Sequence, residues 1–257
     1  MMDDQARYNL LFGRPIEFDT NVNIKVPTVE EAVKEENLQL YTMIFTLTTR
    51  ELFQTLRNVD ELEKRYPSLW SIMMDDEADM QIGSFFDSNK SVSMIFMEAL
   101  HYWTGLPLDG EGGFRKLMNG GRFAHIESEW VIDYDTFREF GNVIKSIIHH
   151  VPNDELPPPI TSDSRYSAWM NIYNGRRSKR EKAAIGWAER IQILSISTEA
   201  YIPIHEIEKM SLYHFYGLFD LLGRKEAYET KLAYQLSPKF ESSKNGPIHW
   251  RETIRKQ

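Results

Sequence analysis

Five groupings of side chains in this chain carry residue types that do chemistry, and each is tested first against the spacing that chemistry requires. His149 and His150 are adjacent. On a helix, neighbouring side chains point about 100° apart, so the two imidazoles do not converge on one metal ion. His205-Glu206 is followed by Ile207, Glu208 and Lys209, so no HExxH zinc helix exists. Glu127, Glu129, Asp133 and Asp135 fall close together. On a strand, Glu127 and Glu129 would share a face and form an acid/base pair or hold a hard cation. Their ordinary alternative is a solvated strand end followed by a helix cap, and no companion motif supports catalysis. Asp75-Asp76-Glu77-Ala78-Asp79 reads as an acidic loop, without the Gly and closing Glu of a calcium loop. Gly110-Glu111-Gly112-Gly113-Phe114-Arg115 lacks both the third glycine of a dinucleotide fingerprint and a following Gly-Lys-Ser/Thr, so it reads as a surface loop. No catalytic, cofactor-binding or metal-binding residue is assigned, and an enzyme is not expected.

Binding is the chemistry that remains. Arg176, Arg177, Lys179, Arg180 and Lys182 form a basic run opposed only by Glu181. The chain as a whole has 30 Lys plus Arg against 38 Asp plus Glu, a formal charge of −8, so this run reverses the local field. Placed at a helix start, its cations would oppose the helix dipole by about 0.3–1 kcal/mol each, which favours a partner-binding role. No aromatic residue interleaves the run, so nucleic acid is not the expected partner. Trp103, Trp187, Phe215, Tyr216 and Trp250 are candidate anchors, because Trp and Tyr dominate interface energetics. Core packing is their ordinary alternative, since aromatic stripes at helical spacing normally face inward.

The elements that position these residues are mostly helices. A chain of 257 residues with 42 % apolar residues forms an ordinary globular core. The absence of cysteine excludes thiol nucleophiles, disulfides, iron–sulfur clusters and Cys-ligated zinc. Met1–Arg7 carries Asp3 and Asp4 without an apolar core, so no signal peptide is expected there, and no stretch suits a membrane span. A bacterial or eukaryotic cytosol is the expected setting.

Pro15–Phe18 and Val22–Val26 alternate apolar with polar around Asp19-Thr20-Asn21, the pattern of a hairpin. Thr28 with Glu31 and Thr48 with Glu51 are capping boxes. Pro67 kinks or splits the segment that begins at Asp60. Val92–Trp103 is a strongly apolar helix. Asn119-Gly120 signals a second hairpin between Phe114–Met118 and Arg122–Ile126, and Asp135 is read as the cap of the next helix. Later helices are expected near Asp163–Tyr173, Ser178–Ser197 and Glu206–Met210, with Ser211 capping a long last one. The expected class is mainly α (α+β): a multi-helix domain with one or two short antiparallel β-hairpins. The expected organisation is residues 1–150 with both hairpins, the Gly-rich second one near 105–127. A Pro-rich spacer at 151–161 and a helical region at 162–257 follow.

Two blocks also look familiar. Phe12-Gly13-Arg14-Pro15-Ile16 with Val22–Glu31 resembles the opening of a family of tailed-phage and prophage proteins of Gram-positive hosts. Glu206–Tyr216, Ser237-Pro238-Lys239-Phe240 and His249-Trp250 resemble that family's C-terminal block, and the basic run sits where its members carry a basic helical stretch. Such proteins look like tail assembly chaperones. The resemblance implies a helical protein of the bacterial host's cytoplasm, without cofactor. It would hold the tape-measure protein soluble and recruit tail-tube subunits. A homo-oligomer stays open. The chain is longer than the short chaperones and carries a Gly-rich central insertion. That leaves as alternatives a minor structural tail or connector protein, or a phage-encoded inhibitor of a host protein.

Overall fold

The computed structural model describes residues 4–87, 89–117, 121–153, 155–197, 201–236 and 249. Among these the chain is mainly helical, with one two-stranded and one three-stranded antiparallel sheet. A short helix α1 (Asp4–Leu11) leads into the first hairpin, β1 (Ile16–Asp19) and β2 (Val22–Ile24). Ile16 pairs with Ile24, and the register shifts between Glu17 and Asp19. Val22 and Ile24 are buried while Asn23 is exposed, the alternation of a half-buried strand.

Helix α2 (Val29–Lys34) opens with the expected capping box: Glu31 N–H donates to Thr28 Oγ1 at 3.2 Å, and Thr28 N–H donates to Glu31 at 2.8 Å. Helix α3 (Leu38–Thr46) precedes the one-turn α4 (Thr49–Leu52), where Thr48 and Glu51 repeat the device. Pro67 falls between α5 (Val59–Arg65) and α6 (Leu69–Met73), splitting the segment in two. The acidic run 75–79 is not a loop. Asp75 accepts from Ala78 N–H and caps α7 (Asp76–Phe86), so the following carboxylates fill the first turn, where the helix dipole favours them. Gly83 is required there: a Cβ would run into the Lys90 carbonyl and Ser91, where the chain entering α8 (Val92–Thr104) crosses α7.

Helix α8 is the centre of the core. Val92, Ile95, Phe96, Ala99, Leu100 and Trp103 are all buried. Phe96 meets Phe45, Trp70, Phe123 and Phe137 edge-on at centroid distances of 5.0–6.2 Å. The second hairpin forms as β3 (Phe114–Leu117) and β4 (Arg122–His125); the expected Asn119-Gly120 turn lies outside the described residues. A third strand, β5 (Trp130–Ile132), extends it, with His125 opposite Trp130. Asp133, not Asp135, caps α9 (Tyr134–Ile147) through Thr136 N–H at 2.9 Å.

The described residues of the Pro-rich segment form no helix or strand and are pinned to the preceding helices. Arg50 Nε–H donates to the Pro157 carbonyl at 2.9 Å, and Ile160 N–H donates to Asp60 at 2.7 Å. Helices α10 (Asp163–Ala183), α11 (Trp187–Ser197), α12 (Ile204–Lys209) and α13 (Leu212–Leu236) follow. The last two are stitched to the chain's opening. Val29 N–H donates to Met210 O, Leu212 N–H to Pro27 O, and Ser211 Oγ to Leu11 O, at 2.8–3.1 Å. A small second cluster of Val29, Leu194, Ile207 and Phe215 fills the space beneath this seam. Among the described residues no helix is long and apolar enough to cross a membrane.

Candidate interaction groove

The acid/base and metal readings find no site. Glu127 and Glu129 are exposed turn residues between β4 and β5, with Glu129 at φ +56°, so they do not share a strand face. Among the described residues no group of three or more metal-ligating side chains occurs. The glycine-rich segment is laced onto β4: Glu127 N–H donates to Gly112 O at 3.0 Å, and a Cβ on Gly113 would strike the Leu108 carbonyl. The two adjacent histidines diverge. His149, at φ +50°, turns inward against Tyr213, with ring centroids 4.5 Å apart, and its Nε2 is buried without a partner. Burial holds its pKa below the ordinary value, and the nearby Asp220 opposes that shift. His150 faces a different space, the groove described below.

The basic run lies at the end of α10, not at a helix start. The helix runs unbroken to Ala183, and Arg180 and Lys182 occupy its last turn, where cations suit the dipole. The dipole mismatch that favoured a binding role is therefore absent. Arg177 pairs with Glu181 at 2.8 Å and Arg176 with Glu155 at 3.5 Å. Lys179, Arg180 and Lys182 are exposed and make no ion pair among the described residues. Trp169, 4 % exposed, anchors the other half of the helix by donating its indole N–H to Gln54 O at 2.6 Å.

The aromatic anchors separate into core and surface. Trp103 is fully buried, donating its indole N–H to Tyr41 O at 3.4 Å. Phe215 is also fully buried, so it is core and not an exposed anchor. Trp187 and Tyr216 are half-buried and lie over it, with centroids 5.8 Å from Phe215 and 6.2 Å from each other. Trp250 lies outside the described residues.

Trp187 and Tyr216 border a groove of about 700 Å³ between α3 and the C-terminal helices. One wall is Leu38, Thr42 and Met43 of α3, with Glu35 and Glu36 at its start. The other is Ala184-Ile185-Gly186, Trp187 and Arg190, and Leu212 and Tyr216 of α13 also line it. The break at Gly186 creates this wall: Gly186 N–H donates to Glu189 at 3.0 Å, a cap that ends the α10 path and starts α11. Arg190 stands one turn from Trp187, its guanidinium 6.0 Å from the indole. Its Nε–H is buried and has no hydrogen-bond partner. Burial raises the pKa of Tyr216, and the adjacent Arg190 draws it back in part. The spacing of Trp187 and Arg190 on one helix face was the signal available for this site. Arg190 and Met43 were not singled out, and His150 was weighed only as a metal ligand, because the groove draws on residues far apart in the chain.

Comparison with protein-family models, curated proteins and solved structures found no match.

Proposed function

We propose that this chain is an interaction protein of phage tail morphogenesis, similar to a tail assembly chaperone. In this reading it binds the tape-measure protein, tail-tube subunits, or both in the cytoplasm of the bacterial host, and carries out no catalysis. The observation that carries the reading is the groove, which leaves Trp187 and Tyr216 half-buried on its wall beside Leu38, Met43 and Leu212. Large aromatic groups beside aliphatic ones, with charges at the rim, suit an amphipathic segment laid into a groove. The resemblance of Phe12–Glu31 and Glu206–Tyr216 to tail proteins supports the identity of the partner. The net charge of −8 would keep a holder of aggregation-prone helices dispersed.

Co-expression with the tape-measure protein of the same genome tests the reading. The tape-measure protein should stay in the supernatant with this chain and sediment without it. Sedimentation in both cases would overturn the chaperone reading. Finding the chain inside finished particles would instead make it a minor structural tail or connector protein. Selective retention of one host protein would make it an inhibitor.

A further inference from the structure

Helix α10 is held at its beginning and bare along its second half. Asp163 pairs with Arg57 at 2.6 Å, Tyr166 Oη–H donates to Thr55 O at 3.0 Å, and the Trp169 indole donates to Gln54 O. From Asn174 to Ala184 every residue except Arg176 is exposed, and none carries an apolar side chain larger than that of alanine. These ten residues to Ala183 make about 15 Å of helix that packs no apolar stripe against anything. What distinguishes the stretch is charge. Successive residues turn by about 100° around a helix. With Arg176 as reference, Lys179 and Lys182 fall on one flank, and Arg180 and Arg177 on the other. Arg176 itself turns toward the Pro-rich segment, pairing with Glu155 at 3.5 Å. Glu181, the one acid in the run, is held by Arg177 at 2.8 Å.

We propose that the second half of α10 is a sequence-independent docking site for duplex DNA, lying along the major groove with one cationic flank toward each phosphate strand. A protein partner needs apolar or aromatic groups to bury at the centre of its contact, and this stretch offers none. Contact with phosphates needs only cations and N–H donors, and the arginine fork matches two phosphate oxygens. The missing aromatics argue against single strands, whose bases stack on such rings, and not against a duplex. The major groove is about 12 Å wide and admits a helix of about 10–12 Å. The run Arg176–Lys182 carries +4 in a chain whose total is −8, so the remainder carries −12. That remainder repels a polyanion and confines the contact to α10. This inference goes beyond the tail-assembly reading and does not rest on it.

The test uses the full chain and four labelled probes: a 20-base-pair DNA duplex of arbitrary sequence, its single strand, the same duplex as RNA, and a 20-residue Glu/Ala peptide. In fluorescence anisotropy at about 50 mM salt the DNA duplex should bind tightest, and a second, unrelated duplex should bind equally. The affinity should fall steeply with salt, by a slope of about 0.9 per phosphate contact on logarithmic axes. Changing Lys179, Arg180 and Lys182 together to Gln should weaken binding about ten-fold or more and reduce that slope by about three. The same replacement at Arg115, Arg122 and Arg138, exposed cations on other elements, changes net charge equally and should leave the affinity within about two-fold. Circular dichroism should show both variants folded, since all six side chains are exposed. Duplex RNA, whose major groove is too narrow for the helix, should bind several-fold more weakly. No binding of the DNA duplex would overturn the proposal, as would equal losses in the two triple variants or an undiminished slope in the first. Tighter binding of the single strand would overturn it as well. Tighter binding of the acidic peptide would make the strut a contact for an acidic protein segment instead.

Discussion

Trp187 lies over Phe215 with ring centroids 5.8 Å apart, yet Phe215 is wholly buried while Trp187 borders open space. The pair joins the small C-terminal core to the groove wall. Replacing one ring should damage the fold, and replacing the other should damage recognition. Phe215→Ala is expected to cost about 3–5 kcal/mol, the usual loss for a large buried aromatic ring. Trp187→Ala should cost clearly less and weaken partner binding. Urea unfolding of both variants checks this, and an equal loss of stability in both would contradict the division.

Trp169 is the pin of α10. Its removal is expected to release the helix while leaving the α8 core intact. Trp169→Phe keeps the ring and deletes the bond to Gln54 O, for an expected loss of about 0.5–1.5 kcal/mol. Amide exchange should quicken along 163–183 and stay slow in Val92–Thr104. Unchanged exchange in α10 would show that Tyr166 and Asp163 hold it without the indole, through Thr55 O and Arg57.

Asp79 anchors the start of α8, accepting from Ser93 N–H at 2.7 Å with Lys116 at 3.6 Å. Asp79→Ala would orphan a buried helix-terminal N–H. The expected loss is about 1–3 kcal/mol, the cost of an unsatisfied buried donor. Thermal unfolding measures it. A neutral result would mean that water replaces the carboxylate.

His149 predicts the pH response. Burial disfavours its charged form, so its folded-state pKa lies below the unfolded value of about 6.5. In that window the unfolded chain binds more protons, so stability should rise with pH. It should be fully present above about pH 6.5 and fall as the pH drops toward the folded-state value. His150 and His214 are shifted the same way, chiefly by burial, and add to the slope. His149→Asn, which tolerates positive φ, should flatten the curve in urea unfolding between pH 5 and 7. An unchanged slope would remove His149 from the account.

The basic end of α10 should act through its free cations. Charge reversal at Lys179, Arg180 and Lys182 is expected to weaken partner binding more at low salt than at high salt, since exposed charges are screened. Reversing Arg176 and Arg177 should do less, because each already has a carboxylate neighbour. A loss independent of salt would argue against an electrostatic contact.

Local signals were the readable ones. The Thr28–Glu31 and Thr48–Glu51 boxes and the break at Pro67 act within a few residues, and each appears as expected. The same logic was available at Asp75, but five residues rich in carboxylate look like a solvated loop until Ala78 N–H is seen to bond back. Strand β5 escaped because Trp130-Val131-Ile132 is too short to show a period and exists only by pairing with β4. Gly186 falls inside the helix expected over Ser178–Ser197; its bond to Glu189 makes it a boundary. That boundary shifts the basic run from a helix start to a helix end and opens the groove wall. The groove itself needs Leu38, His150, Trp187 and Tyr216 brought together by long-range packing, which no local pattern encodes.

Affinity capture of the tagged chain from host cells producing the phage, beside its Trp187→Ala/Tyr216→Ala variant, tests the central claim most directly. Mass spectrometry of both eluates should find the tape-measure protein or the tail-tube subunit with the native chain and strongly depleted with the variant. Retention of either protein equally by both would show that the groove is not the binding surface. Absence of both from the native eluate would contradict the tail-assembly function.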